Sequence, residues 1–204
     1  MTAAPWSLPE STVIGGQTYR FHTDFRDILN ILGWLNGDLG RDLCDEERCY
    51  VALRLFYPEF AQMPAPHWQQ AAAEMAQFLA GGRAEPERPG PRLLDWQQDA
   101  PLILAGVNRA AGCEVRSLPA LHWWTFLTWF DAIGDGPLAT VVAIRDKLRR
   151  GKKLEPWEQD YYRAHRAQID LRPRLTAEEQ AAKDALNRLL AEGDAQGMKG
   201  GTKR

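Results

Sequence analysis

The sequence is poor in the side chains that metal and redox sites use. Its 204 residues include three cysteines and four histidines. Cys44, Cys49 and Cys113 show neither the C-x-x-C spacing of a zinc or redox site nor a histidine at ligand distance. So few cysteines argue against a disulfide framework and favour a reducing compartment. We therefore predict neither a metal site nor a bound cofactor.

The sequence also lacks the short motifs of phosphate binding, nucleophilic catalysis and zinc hydrolysis. None of the patterns G-x-x-x-x-G-K-[ST], G-x-S-x-G, H-E-x-x-H and G-x-G-x-x-G is present. Among the histidines, only His122 has a distinctive setting, beside two tryptophans, and a hydrogen-bonded structural role explains it best. Asp95 and Asp99 are spaced as a carboxylate pair, but capping of a helix start accounts for Asp95. We therefore predict that the protein is not an enzyme.

Long apolar runs are absent as well. No stretch approaches the roughly 20 apolar residues that a membrane-spanning helix needs. The opening MTAAPWSLPE lacks the basic segment and the apolar run of a secretory signal. We therefore expect a soluble, intracellular protein without a membrane partner.

Positive charge is scarce early in the chain and becomes more frequent later. Residues 1–100 hold 8 Lys and Arg against 14 Asp and Glu, whereas residues 145–174 hold 10 against 5. This later excess, diluted by its carboxylates, is smaller than most nucleic-acid-binding domains carry. A solvated face or an acidic partner explains the segment better. A DNA-binding regulator, with Arg145 to Arg166 as its phosphate face, stays as the less favoured alternative.

Local patterns predict a mostly α fold with one N-terminal β-hairpin. Two β-compatible runs flank Gly15 and Gly16, and Val13, Tyr19 and Phe21 should hold this hairpin against the helices. Apolar residues then recur at helical spacing in the segments that follow. These segments cover about residues 24–36, 45–57, 67–80, 95–111, 117–133, 138–150, 156–169 and 176–190. We predict a single helical domain of about six to eight helices.

Proline and glycine mark the breaks between these helices. Residues 81–92, GGRAEPERPGPR, combine three Pro and three Gly with alternating charges, which predicts a mobile loop that folding does not require. Pro101 should either kink the fourth helix or mark its true start. The glycine-rich sequence GDAQGMKGGTKR at the end predicts a disordered tail.

The most apolar part of the sequence is the stretch SLPALHWWTFLTWFDAI, residues 117–133. Ser117 can cap its N-terminus, and Pro119 then falls where a missing N–H costs nothing. Trp123 and Phe126 lie on its wide apolar face. We therefore predict a central helix over these residues, with both aromatic side chains in the core.

Two apolar residues of this stretch lie outside its apolar face. Leu121 and Trp124 lie one turn apart among the polar positions. We predict that they lie at or next to a protein-binding surface, used for self-assembly or for a client. The competing account is that the hairpin or the helix of Trp157 covers them within the same chain.

Six strings along the chain resemble those of a bacteriophage family, the gene product fifteen proteins of long-tailed phages. In order, they are IGGQTYRF, TDFRD, LFYPE, FLAGG, LLDWQQDAPLI and LHWWTF. The most distinctive feature is D-W-x-x-D, followed about twenty residues later by L-H-W-W-x-F. The signature residues of these strings are Asp24, Phe25, Arg26, Asp95, Trp96, Asp99, His122, Trp123 and Phe126. The resemblance covers about residues 8–171 as one domain, and residues 172–204 extend beyond it.

The resemblance implies a tail assembly chaperone. Such a protein keeps the long, helical tape-measure protein soluble until tail-tube subunits polymerise around it, and the expected contact is a client helix in a groove. The implied partners are the tape-measure protein, a tail-tube protein or second chaperone, and further copies of the chain. The implied location is the cytoplasm of the infected bacterial host. A structural virion or head-to-tail joining protein is the main alternative.

Overall fold

The computed structural model describes residues 6–83 and 90–173. Within these ranges the chain forms eight α-helices and one two-stranded antiparallel sheet. The strands are β1 (Ser11–Ile14) and β2 (Gln17–Arg20). The helices are α1 (Phe25–Leu35), α2 (Asp45–Phe56), α3 (Trp68–Leu79), α4 (Ala100–Ala111), α5 (Trp123–Asp131), α6 (Pro137–Arg149), α7 (Pro156–Ala164) and α8 (Arg166–Ile169). The predicted mostly α fold with one N-terminal hairpin is confirmed.

A two-residue glycine turn joins the strands of the hairpin. Ile14 pairs with Gln17, and Gly15 and Gly16 between them have φ of +57° and +81°. Positive φ at both positions suits the twist of a tight hairpin and is readily adopted by glycine. Gly15 also lies against the imidazole of His67, where a Cβ would approach Nε2 to 2.2 Å. Both glycines therefore serve the turn, and Gly15 also allows the contact with the segment that precedes α3.

The inner face of the hairpin differs from the predicted one. Ile14 and Tyr19 are buried, whereas Val13 is 59% exposed. Side chains alternate along a strand, so burying Ile14 turns Val13 outward. Phe21 packs on the helices as predicted, and its ring stacks on that of Phe56 in α2 at a centroid distance of 4.8 Å. The hairpin is thus held against the helices by one of its two faces.

One residue of α3 lies on a different side from the one predicted. Ala71, Met75 and Phe78 are buried as expected, but Trp68 is 37% exposed. Trp68 is the first residue of the helix and directly follows a 3₁₀ turn. Its ring packs on that of Phe60, with centroids 5.3 Å apart, instead of entering the core. Trp68 therefore lies at the rim of the helical body.

The central helix is shorter than predicted and begins at Trp123 rather than near Ser117. A separate 3₁₀ turn ends at Ser117, and His122 takes the place of the N-cap. The backbone N–H of Trp123 donates to the carbonyl of Thr23 at 2.7 Å. This long-range bond holds the residues before α5 in an extended conformation, so the helix cannot start earlier.

Two further helix boundaries follow from local backbone geometry. Pro101 marks the start of α4, which begins at Ala100, and first-turn N–H groups have no helical partner in any case. The helix predicted over residues 156–169 is divided into α7 and α8. The division falls at His165, whose φ of −121° and ψ of 25° leave the helical region.

The buried apolar side chains form two clusters. The larger one joins the inner face of the hairpin, helices α1 to α5 and the first turn of α6. The smaller one lies between α6, α8 and the segment that precedes α7, and consists of Val141, Ile144, Leu154 and Ile169. The last helices thus add a second, smaller core beside the main one.

Some expectations concern residues outside the described ranges. The predicted helix 176–190, the tail after it and residues 84–89 of the predicted loop all fall there. Within the described ranges, no helix combines the length and the apolar character needed to cross a membrane.

Candidate functional site

Asp24 joins the beginnings of α1 and α5. Its Oδ1 caps α1 by accepting from the backbone N–H of Arg26 at 2.9 Å, and its Oδ2 accepts from the backbone N–H of Leu121 at 2.9 Å. The Arg26 guanidinium binds both carboxylate oxygens, at 2.7 and 2.8 Å. Next to this contact, the backbone N–H of Phe25 donates to the carbonyl of Leu121 at 2.9 Å. One carboxylate therefore ties together two helix starts that lie far apart in the sequence.

These hydrogen bonds favour the ionised form of Asp24. Burial raises the pKa of this carboxyl, but the bonds from the Arg26 side chain and from the N–H groups of Leu121 and Arg26 outweigh it, so the pKa lies below the ordinary value of an aspartate. A carboxyl whose pKa is lower in the folded state stabilises the fold at pH values above its unfolded pKa. This stabilisation is lost as the pH falls through the folded-state value.

Replacing Asp24 by Asn should reduce the free energy of unfolding by about 1 to 3 kcal/mol at pH 7. An amide has one acceptor oxygen and an NH2 group, so it leaves one of the two backbone N–H groups without its partner. The difference from wild type should shrink as the pH falls from the ordinary pKa of an aspartate towards the lower folded-state pKa of Asp24, below which the wild-type carboxyl is itself protonated. Urea denaturation at several pH values measures both effects.

Asp27→Asn is the matched control, because Asp27 lies in the first turn of the same helix with its side chain 55% exposed. This variant should lose less than about 1 kcal/mol of unfolding free energy, which is the range for an exposed charge at a helix start. Equal losses for the two variants would contradict the capping role of Asp24.

Aromatic signature residues from three distant strings pack against one another. The rings of Phe25 and Phe126 stack with centroids 4.8 Å apart, and Trp123 stacks on Phe126 at 5.5 Å. Trp96 meets the ring of Trp123 edge-on at 5.7 Å. Trp123 and Phe126 are each 1% exposed, as predicted for core residues. Phe25, Trp123 and Phe126 are therefore core residues that stabilise the fold, and Trp96 packs on them while partly buried.

His122 has the structural role that was predicted for it. Its Nδ1 accepts from the backbone N–H of Trp124 at 3.1 Å and so caps α5. Its Nε2 lies 3.0 Å from the carbonyl oxygen of Pro9, so this nitrogen carries the proton and donates it. Both ring nitrogens are thus used in holding the N-terminal segment to α5.

Asp99 forms a buried ion pair with Arg145. Two of the guanidinium N–H groups donate to the carboxylate, with N–O distances of 2.6 and 2.8 Å. The other three donate to the carbonyls of Ile169, Leu93 and Gln168 at 2.7, 2.9 and 2.7 Å. All five donors of this side chain are therefore satisfied, while Asp99 is 0% and Arg145 5% exposed. The pair fastens α6 and α8 to the segment that leads into α4.

Asp95 caps the turn that precedes α4. Its Oδ1 accepts from the backbone N–H groups of Gln97 and Gln98 at 2.9 and 2.7 Å, and Arg92 binds its other oxygen. Burial raises the pKa of Asp95, but the Gln98 N–H and the Arg92 guanidinium lower it more, so the pKa lies below the ordinary value of an aspartate. Each carboxylate has its own donors, so the spacing of the two results from turn capping by Asp95 and ion pairing by Asp99 and does not indicate a paired-carboxylate site.

Leu121 and Trp124 do not form the accessible pair that was predicted. Leu121 is 6% exposed because it lies in the extended segment before α5, not on the helix, so its assignment to a partner surface is corrected. Trp124 is partly buried. Its Nε1 donates to the carbonyl of Phe78 at 2.9 Å, and its ring stacks on that of Phe78 at 5.8 Å. These two contacts of Trp124 come from α3, and a partner role for Trp124 stays a prediction.

The basic segment after residue 145 carries less free charge than its composition suggests. Arg145 is buried in the pair with Asp99, and Lys147 lies 2.7 Å from a carboxylate oxygen of Glu158. Three further ion pairs within the segment are Arg150–Asp146, Arg163–Asp160 and Arg166–Asp170. Neighbouring carboxylates would compete with phosphate for these cations, which weighs against the DNA-binding alternative.

Two features of the structure were not predicted from the sequence. One is the burial of Arg145, although this residue lies four positions after Val141 on the apolar face of α6, where an apolar side chain would be usual. The other is an aromatic cluster at the surface, which we call the Tyr50–Trp68 patch and which consists of Tyr50, Phe60 and Trp68. Helical spacing placed Trp68 inside, and only the contact between distant elements reveals the patch.

Side chains that bind metals or undergo redox chemistry are dispersed in the part of the chain that the structure describes. There, His, Cys, Asp and Glu form no group of three or more that could hold a metal ion. Cys44 and Cys113 are exposed and Cys49 is partly buried, all as free thiols. No protein-family model, no curated protein and no solved structure matches this chain.

Proposed function

We propose that the protein is a phage tail assembly chaperone, which binds the tape-measure protein and keeps it soluble until the tail tube polymerises around it. The proposal rests on the ordered strings that resemble the gene product fifteen family over residues 8–171. One observation supports it most. The aromatic signature residues of the strings TDFRD, LLDWQQDAPLI and LHWWTF, namely Phe25, Trp96, Trp123 and Phe126, pack against one another. Residues that pack together in this way are expected to occur together in a family with one fold.

The surface of the described chain also suits a protein that binds other proteins. A holding chaperone needs apolar side chains that a client can cover, and such residues usually mark interaction sites. The large apolar side chains that are well exposed are Trp6, Leu8, Val13, Leu39, Tyr50, Trp68, Leu148 and Trp157. In the proposed role, clients contact some of these residues, and the protein acts in the cytoplasm of the infected host.

Co-expression with the tape-measure protein of the same phage genome tests the proposal. The soluble fraction of the tape-measure protein should rise several-fold, and an affinity tag on this chain should retain it from the cleared lysate. A tape-measure protein co-expressed with an unrelated helical protein of similar size is the control. Equal solubility in both cultures, without retention on the tag, would contradict a chaperone role.

Purified phage particles separate this proposal from the structural virion alternative. A chaperone leaves the assembly before the particle is complete, so mass spectrometry of the particles should detect the chain at much less than one copy per tail. Stoichiometric presence would instead favour a structural or head-to-tail joining protein.

A further inference from the structure

The Tyr50–Trp68 patch brings two exposed aromatic rings together on a buried one. Tyr50 of α2 is 42% exposed and Trp68 of α3 is 37% exposed, whereas Phe60 beneath them is 2% exposed. The ring centroids of Tyr50 and Trp68 are 5.7 Å apart, and each ring lies within 5.5 Å of that of Phe60. Tryptophan and tyrosine are the residues that most often anchor protein interfaces. The patch therefore has the composition of a binding site for another protein.

The exposed tryptophan is held in a fixed position before any partner arrives. Its Nε1 donates to the carbonyl of Met63 at 3.1 Å, and Met63 is 4% exposed. The polar edge of the indole is thus already satisfied, so the part left to solvent is apolar. An anchor that is already ordered loses little side-chain entropy on binding, which favours affinity.

The charges next to the patch are mostly negative. Glu46 lies one helical turn before Tyr50 on the same side of α2, and Glu59 directly precedes Phe60 in the chain. Arg48 does not offset these charges, because it pairs with Asp45. Arg54, one turn after Tyr50, is the nearest cation in the sequence that remains. The apolar centre therefore has an acidic edge.

We propose that the Tyr50–Trp68 patch docks an amphipathic helix whose apolar face is flanked by lysine or arginine. Side chains at positions i and i+4 of a helix are about 6 Å apart, which matches the 5.7 Å between the two exposed rings. The acidic edge then contacts the cations beside the apolar stripe of the helix. The identity of this helix as part of the tape-measure protein rests on the proposed function, whereas the patch and its preference for a basic helix do not.

A labelled model peptide tests the patch directly. The probe is a synthetic 20-residue amphipathic helix of leucine and lysine carrying fluorescein, and its fluorescence anisotropy is measured against the full chain. Tyr50→Ser and Trp68→Ser should each weaken binding about tenfold or more. Trp157→Ser is the matched control, because it removes a tryptophan that is 58% exposed on α7 and should leave the affinity within about twofold of wild type.

The charge preference is tested with a second peptide in which glutamate replaces every lysine. It should bind wild type about tenfold or more weakly than the lysine peptide, and the affinity for the lysine peptide should fall as salt is added. Circular dichroism and thermal melting establish that each variant is folded. If Trp68→Ser does not fold, Tyr50→Ser alone decides the result, since its ring is the more exposed.

Three outcomes would overturn the patch. The first is a folded Tyr50→Ser variant that binds the lysine peptide as tightly as wild type does. The second is equal affinity of wild type for the lysine and glutamate peptides. The third is that wild type forms a dimer, and that Tyr50→Ser dissociates this dimer but still binds the peptide. The tape-measure protein separates this inference from the proposed function. If wild type fails to retain it but binds the lysine peptide through the patch, the proposed function fails and the inference stands. If wild type and both patch variants retain it equally, the patch is not its docking site.

Discussion

Replacing Arg145 by alanine should lower the free energy of unfolding by about 3 to 5 kcal/mol. The variant leaves the carboxylate of Asp99, which is 0% exposed, without a compensating charge. It also removes the donors to the carbonyls of Ile169, Leu93 and Gln168. A buried charge without its partner is among the most destabilising changes that a single substitution can make. Urea denaturation followed by circular dichroism measures the loss.

Two further variants separate the buried pair from surface charge. Arg163→Ala removes a cation from a pair whose side chains are 72% and 73% exposed, so it should cost less than about 1 kcal/mol. Replacing both partners, as in Asp99→Leu with Arg145→Met, should recover much of the stability lost in Arg145→Ala, because no unpaired charge remains. An unchanged denaturation midpoint for Arg145→Ala would contradict the role of the pair in fastening α6 and α8.

Truncating Trp123 or Phe126 to alanine should cost about 3 to 5 kcal/mol each. Both side chains are 1% exposed, and they meet the aromatic rings of Phe25 and Trp96. The indole of Trp123 also donates to the carbonyl of Leu79 at 3.0 Å, so its removal leaves a cavity and an unsatisfied carbonyl. We expect little soluble protein, and thermal melting of the soluble fraction measures the change.

Trp157→Ala is the control for this prediction, because it removes a side chain of the same type that is 58% exposed. Its melting temperature should stay close to that of wild type. A soluble Trp123→Ala variant with an unchanged melting temperature would show that the centre of the core lies elsewhere.

The elements that depend on local sequence were predicted most closely. The glycine pair located the hairpin turn, and Asp24, Asp45 and Pro156 stand at or next to helix starts. Caps, prolines and apolar periodicity act within one or two turns of chain, so their effect can be read without knowing the fold. For this reason the fold class and most helix boundaries agree with the expectation.

The features set by contacts between distant segments were not predicted. Ser117 had the signals of an N-cap, but the bond from Trp123 to Thr23 moved the helix start to Trp123. Arg145 resembled a surface cation until its partner Asp99 was known. Leu121 was assigned to a helix face that it does not belong to. Sequence periodicity describes one helix at a time and cannot indicate which residues another element will cover.

The candidate site shows the same division. The signature residues could be chosen from their strings, and the structure adds that Asp24, Phe25, Trp96 and Trp123 are packing and capping residues. The Tyr50–Trp68 patch could not be predicted from the sequence, because its three rings come from α2, a connecting turn and α3. Exposure of an aromatic ring depends on the elements around it, which no local pattern contains.

The contact between Asp24 and Leu121 spans 97 residues, and this has a consequence for synthesis on the ribosome. At about 5 to 20 residues per second, roughly 5 to 20 s separate the synthesis of the two partners. During that interval the nascent α1 lacks Leu121, whose backbone N–H binds Asp24, and it lacks Phe126, whose ring covers Phe25. The ring of Phe25 is then open to contacts with other chains. The emerging polypeptide therefore passes through a stage in which cellular factors that bind nascent chains can protect it from aggregation.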